Sequence, residues 1–227
     1  MTEPVVPTPK PVKRNAEQDQ RIANQIAADG QYLQTVRTDP EISVLLAQRG
    51  YSALKLADGD ALQVAAQAAF TQRQTAMAGQ GHASAGLSGR TAEVREMYMD
   101  FRDTVRAISE FTASDRVALK VNGTIPADRQ KMITAARASF QAAQSPTYAA
   151  TLALYGYSAE VVGKALEQID AYATADVGQN SAIGDAAKAT ADRNAAFTAL
   201  QTYMKQLRRI AKVALRQRPD LLTKLAG

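Results

Sequence analysis

A chain of 227 residues without cysteine or tryptophan excludes disulfide frameworks, zinc-thiolate sites and iron-sulfur clusters, yet is long enough to bury a sizeable core in one large or two small domains. Abundant alanine and glutamine favour helix over sheet. The net charge of +5 is concentrated at one end: from Tyr203 onward seven basic residues stand against Asp220 alone, so the remainder is close to neutral.

The first segment, residues 1–14, holds Pro4, Pro7, Pro9 and Pro11, followed by Lys13 and Arg14. Such proline spacing forbids helix and sheet and favours an extended polyproline-II arm rising ~3.1 Å per residue, either a loose tail or a strap laid on a neighbouring molecule. This segment has no apolar stretch of the kind a secretory signal carries, and no apolar run in the chain approaches the ~20 residues needed to span a bilayer. A cytoplasmic protein is expected.

From Glu17 to Arg37, the apolar residues Ile22, Ile26, Leu33 and Val36 recur at helical spacing. Thr38-Asp39-Pro40-Glu41 then reads as a stop and a restart: a side-chain oxygen to cap, proline in the first turn, and an acid beside it. A short helix is expected up to Gly50, whose left-handed tolerance ends it, with Ser52 capping the next helix to about Met77. The glycine-rich stretch Gly79 to Gly89, which contains the only histidine, His82, is expected to be a mobile interhelical connection. From Arg90 to Phe111, Val94, Tyr98, Phe101, Val105 and Ile108 define one buried stripe.

Beyond Asn122-Gly123, Pro126 is expected to open a helix containing Ile133, Ala136, Phe140 and Ala143. Ser145-Pro146 restarts the chain, and Gly156 with Ser158 ends that helix and caps the next. Helices are expected over 159–177, with Val162, Leu166, Ile169 and Ala173 inward, and over 185–217, with Ala199, Tyr203, Ile210 and Val213 inward. The segment 184–193 would connect them, and Pro219 begins a short terminal helix.

Many of these features occur twice. Pro40, Leu46-Ala47 and Gly50-Tyr51-Ser52-Ala53 return as Pro146, Leu152-Ala153 and Gly156-Tyr157-Ser158-Ala159 at a constant separation of 106, while Tyr98-Met99 answers Tyr203-Met204 with a slip of one residue. The expected fold is all-α, an internally duplicated, pseudo-twofold helical bundle preceded by the arm. Its repeats would cover 15–123 and 124–227, each with three long helices and short corner helices.

Catalysis finds little support in these residues. One histidine leaves no paired metal motif and no convincing Ser-His-Asp set, so His82 reads as an exposed loop residue. Gly81 and Gly86 have phosphate-loop spacing, but Leu87 stands where the lysine should be and no strand precedes it. No catalytic residue, cofactor, metal site or small-molecule substrate is inferred.

Two charged stripes remain. Glu93, Glu96, Asp100 and Asp103 place four acids along one helix face, diluted by Arg95, Arg102 and Arg106. Lys205, Arg208, Arg209, Lys212 and Arg216 form a basic counterpart, and the slipped register sets Asp100 against Lys205 and Asp103 against Arg208, as if one face had reversed its charge. The expected function is a non-catalytic structural building block that assembles with itself as a filament, tube, ring or shell. The alternative is a binding protein that presents the basic helix to nucleic acid, an anionic membrane surface or an acidic protein.

Overall fold

A computed structural model describes the backbone of residues 13–226 and the side chains of 16–225. The prolines of the expected arm, Pro4, Pro7, Pro9 and Pro11, lie outside these residues. Lys13 and Arg14 already belong to the first helix. The described chain is all-helical: α1 (Lys13–Thr38), α2 (Pro40–Ala47), α3 (Ala53–Ala107), α4 (Ala113–Ala118), α5 (Arg129–Ala143), α6 (Pro146–Leu154), α7 (Ala159–Ala214) and α8 (Pro219–Ala226).

The two corners anticipated from sequence form for the reasons expected. Asp39 caps α2 by accepting from the backbone N–H groups of Glu41 and Ile42, and Ser145 caps α6 by accepting from Thr147 N–H. Each short helix ends in a left-handed glycine, Gly50 at φ 86° and Gly156 at φ 91°. After each glycine a tyrosine N–H returns to a buried leucine carbonyl, Tyr51 to Leu46 and Tyr157 to Leu152, both at 3.0 Å. Ser52 and Ser158 then accept from the backbone N–H groups of Lys55 and Val161 at the starts of α3 and α7.

The largest departure from expectation lies in the long helices. The connection expected over Gly79–Gly89 is helical, as is the one over 184–193, so α3 and α7 run unbroken for 55 and 56 residues. Three long helices per repeat therefore become two. Glycine costs roughly 1 kcal/mol per position in a helix, but the alanines, glutamines and serines around it favour one. Packing adds to this preference: Leu87, inside the glycine-rich stretch, is buried, as are Ala186 and Ala189 in the other expected connection. His82 is an exposed residue of α3 and not of a loop. Pro126 also lies ahead of its helix, because Asp128 is the cap that starts α5.

The chain forms two compact units. Unit 1 comprises residues 1–76 and 186–227, thus α1, α2, the first part of α3, the last part of α7 and α8. Its core joins Ile26, Leu33 and Val36 of α1 to Ile42 and Leu46 of α2 and to Leu200, Met204 and Leu207 of α7. Unit 2 comprises residues 77–185, with the rest of α3, α4, α5, α6 and the first part of α7. There Phe101 packs on Phe140 at 4.6 Å and on Tyr157 at 5.0 Å between ring centroids. Each fully buried side chain of this size contributes roughly 1.5 to 3 kcal/mol. The compact units thus cut across the two sequence halves, each drawing on both.

The buried faces of α1, α5 and the Arg90–Phe111 stretch are those expected. On the last part of α7, however, the buried residues are Leu200, Met204, Leu207 and Ala211, whereas Val213 is 56% exposed and Ala199 is exposed. The core face is one residue, or about 100°, away from the stripe expected through Ala199, Tyr203, Ile210 and Val213. Similarly, Tyr172 is buried on α7 and Ala173 is not.

Candidate functional site: two charged helix faces

The acidic stripe lies in unit 2 on α3, and all four of its members, Glu93, Glu96, Asp100 and Asp103, are exposed. Its neighbours on the inner side are the buried Val94, Tyr98 and Phe101, whose packing fixes the helix rotation and turns the acids outward. Glu93, Glu96 and Asp100 border a shallow depression of about 600 Å³ with Met97, Met99 and Gln168. Asp100 is engaged within the chain, accepting from the Tyr157 hydroxyl at 2.6 Å. Burial, and next this hydrogen bond to a carboxylate, push the Tyr157 hydroxyl well above the usual tyrosine range, so it remains a donor at neutral pH. Asp103 has Arg106 at 4.0 Å, a contact worth little between exposed groups.

Of the three arginines expected to dilute this face, Arg102 does not belong to it. Its side chain is buried, with Nη2 donating to the Gly123 carbonyl at 2.6 Å and the guanidinium over the Tyr98 ring at 5.3 Å. Only Arg95 and Arg106 interrupt the acids.

The basic stripe lies in unit 1 on α7. Lys205, Arg209, Lys212 and Arg216 are exposed, and none of them makes an ion pair among the described residues. Arg208 differs. Its Nη2 donates at 2.5 Å to Asp29 of α1, whose side chain is fully buried, and its guanidinium covers the Tyr32 ring at 5.3 Å. Gln201 and Gln25 also donate to Asp29, at 2.5 and 3.1 Å, completing the shell a buried carboxylate needs. Arg208 therefore holds α7 to α1, and the other four cations form the outward face.

The residue-by-residue charge reversal does not hold. The buried positions Val94, Tyr98, Phe101 and Val105 repeat as Leu200, Met204, Leu207 and Ala211 at a separation of 106, without the slip. In that register Asp100 answers Gln206, and Asp103 answers Arg209. With the buried positions aligned, only Asp103 meets a cation, and the two stripes are rotated relative to each other by less than one residue step. Their opposite sign survives at the level of the units: unit 1 has 17 basic and 10 acidic residues, unit 2 has 10 and 12.

Sequence reasoning missed the internal ion pairs of unit 1. Besides Asp29 with Arg208, Asp19 takes hydrogen bonds from Arg73 and, at 2.8 Å, from Arg193, both arginines being buried. The signal was present: Asp29 occupies the stripe position between Ile26 and Leu33, where an acid survives only with a partner. No protein-family model, no curated protein and no solved structure matches the chain, so its functional reading rests on these two faces.

Proposed function

We propose that the chain is a non-catalytic helical building block, derived from duplication of one helical unit, that assembles with further copies of itself through its two charged faces. The observation that carries this reading is a pair of exposed stripes of opposite sign and matching length. The acids from Glu93 to Asp103 extend ~15 Å along α3, and the cations from Lys205 to Arg216 ~16 Å along α7. Different patches that complement each other make a heterologous contact, which closes into a ring or continues as a filament or tube. Recurrence of the capped corners at Pro40 and Pro146, each closed by its left-handed glycine, supports the duplication. The Pro-rich segment ahead of α1, residues 1–12, belongs to the same reading as a strap between copies.

Single exposed pairs contribute only ~0 to 1 kcal/mol and are screened by salt, so assembly through these faces is salt-sensitive. Sedimentation and electron microscopy across a salt series test this first. Reversing Lys205, Arg209 and Lys212 to Glu is expected to abolish assembly, and adding Glu93, Glu96 and Asp103 to Lys is expected to restore it in part. Asp100 is left unchanged because it holds Tyr157. Assembly indifferent to both sets of changes overturns the reading.

A second reading is favoured by the four cations standing in a row without internal partners: the basic face binds an external polyanion, whether nucleic acid, an anionic membrane surface or an acidic protein. In that case the Lys/Arg-to-Glu variant loses salt-dependent binding irrespective of nucleic-acid sequence, and the acid-to-Lys changes do not restore it.

A further inference from the structure

We propose that unit 1 carries a binding groove for a small amphiphilic monoanion, a carboxylate on an apolar tail, where α1, α7 and α8 converge. The groove has a volume of about 460 Å³, within the range of ~300 to 1,000 Å³ typical of small-molecule sites. Its polar side is formed by Arg208 and Lys212 of α7, Lys224 of α8 and Tyr32 of α1, and its apolar side by Leu222 and Leu225 of α8. Basic residues on a solvated face have no reason to close around leucines. Here three helices bring both kinds of surface to one depression.

The charges select the headgroup. Arg208 is balanced by Asp29 and Lys224 by Asp39, at 3.0 Å, whereas Lys212 has no ion-pair partner among the described residues. Among the described residues the groove therefore carries one uncompensated positive charge, which a monoanion neutralises and a phosphate monoester over-neutralises. Arg208 is also held in place before any ligand arrives. Among the described residues only its Nη2 makes a hydrogen bond, to Asp29, and the guanidinium covers the Tyr32 ring at 5.3 Å, so the side chain is anchored while its remaining donors are left for a ligand. Burial pushes the Tyr32 hydroxyl up to about 12, against the opposing pull of Arg208, which keeps it protonated as a further donor at neutral pH. The leucines offer an incoming tail a surface away from water.

Calorimetric titration of the full chain with octanoate, at a protein concentration where sedimentation shows a single species, tests the groove apart from any assembly. Octanoate is expected to bind saturably, with acetate and octanol each weaker by roughly tenfold or more, because one lacks the tail and the other the charge. Lys212→Gln and Leu225→Asn are each expected to weaken octanoate by roughly tenfold while leaving the circular dichroism spectrum unchanged. Lys131→Gln, an equal loss of charge in unit 2, is expected to leave binding unaltered. Absence of saturable octanoate binding, acetate binding as tightly as octanoate, unaltered binding in Lys212→Gln, or tighter binding of octyl phosphate than of octanoate would each overturn the proposal.

Discussion

Unit 1 and unit 2 each contain a capped corner ended by a left-handed glycine, but their buried centres use different chemistry. The core face of α1 runs Ile26, Asp29, Leu33, Val36, and that of α5 runs Ile133, Ala136, Phe140, Ala143. In sequence, Asp29 lies three residues after Ile26 as Ala136 lies three after Ile133, and Arg208 follows Leu207 as Arg102 follows Phe101. In unit 1 the arginine meets a carboxylate. In unit 2 the alanine leaves it none, and Arg102 turns to the Gly123 carbonyl and the Tyr98 ring, while Phe101, Phe140 and Tyr157 fill the centre. A helical unit can be centred on an ionic layer or an aromatic one, provided each buried polar group finds a partner.

The aromatic layer is the more sensitive of the two to truncation. Phe140→Ala removes the ring on which Phe101 packs and is expected to cost about 3 to 5 kcal/mol, read as a lower urea midpoint. In the ionic layer, Arg208→Ala leaves Asp29 buried with only glutamine donors, and a loss of about 3 kcal/mol is expected. The sharper experiment gives unit 1 the unit 2 solution: Asp29→Ala combined with Arg208→Leu is expected to lie within about 1 kcal/mol of the unmodified chain, since no charge is then stranded. A double variant as unstable as Arg208→Ala would mean that the ionic layer does more than satisfy itself.

Smaller effects separate the units further. At Gly59 a Cβ would come within 2.5 Å of the Tyr203 ring and 2.9 Å of Leu33, so Gly59→Ala is expected to cost about 1 to 3 kcal/mol, although Ala165 occupies the matching position in unit 2. Gly86 has no atom within 4 Å of such a Cβ, and Gly86→Ala is expected to raise stability by about 0.5 to 1 kcal/mol. Thermal melts of the two variants should move in opposite directions.

Acidification should distinguish the two corners. The Asp39 carboxyl is held below its ordinary value of 3.8 chiefly by hydrogen bonding to Lys224, then by the Ile42 N–H. A depressed carboxyl stabilises the fold fully above its ordinary value and ceases to do so as pH falls through the lower, folded value. As pH falls through that lower value, below 3.8, α2 should therefore lose its cap, while α6, capped by the non-titrating Ser145, keeps its own. Amide exchange at Glu41 and Thr147 reports this directly.

What was legible in the chain depended on how strongly each feature constrains the backbone. The corners were readable because a cap, a proline and a left-handed glycine admit few alternatives. The stripe from Val94 to Ile108 was readable because its residues are large. Over 79–89 and 184–193 glycine was taken for a connection, since composition does not reveal that Leu87, Ala186 and Ala189 are buried. On α7 the match of Tyr203 to Tyr98 drew the register one residue away from the core. Of the charged faces, residue types and exposure were readable, but the diversion of Arg208 to Asp29 and of Asp100 to Tyr157 depends on contacts between elements distant in sequence.

The division of the chain between its units also sets an order of events during synthesis. Residues 77–185 of unit 2 are consecutive, whereas unit 1 needs residues 186–227 to complete what residues 1–76 began. On the ribosome, unit 2 has all its parts while the apolar faces of α1, α2 and the first part of α3 still await the end of α7. The interval lasts for the translation of some forty residues, roughly two to eight seconds at ~5 to 20 residues per second. During it the nascent chain exposes Ile26, Leu33, Ile42 and Leu46 to whatever else is present. An ionic layer suits such a delay, since Asp29, and Asp19 beside the early-made Arg73, keep the waiting face of α1 hydrated until Arg208 and Arg193 arrive.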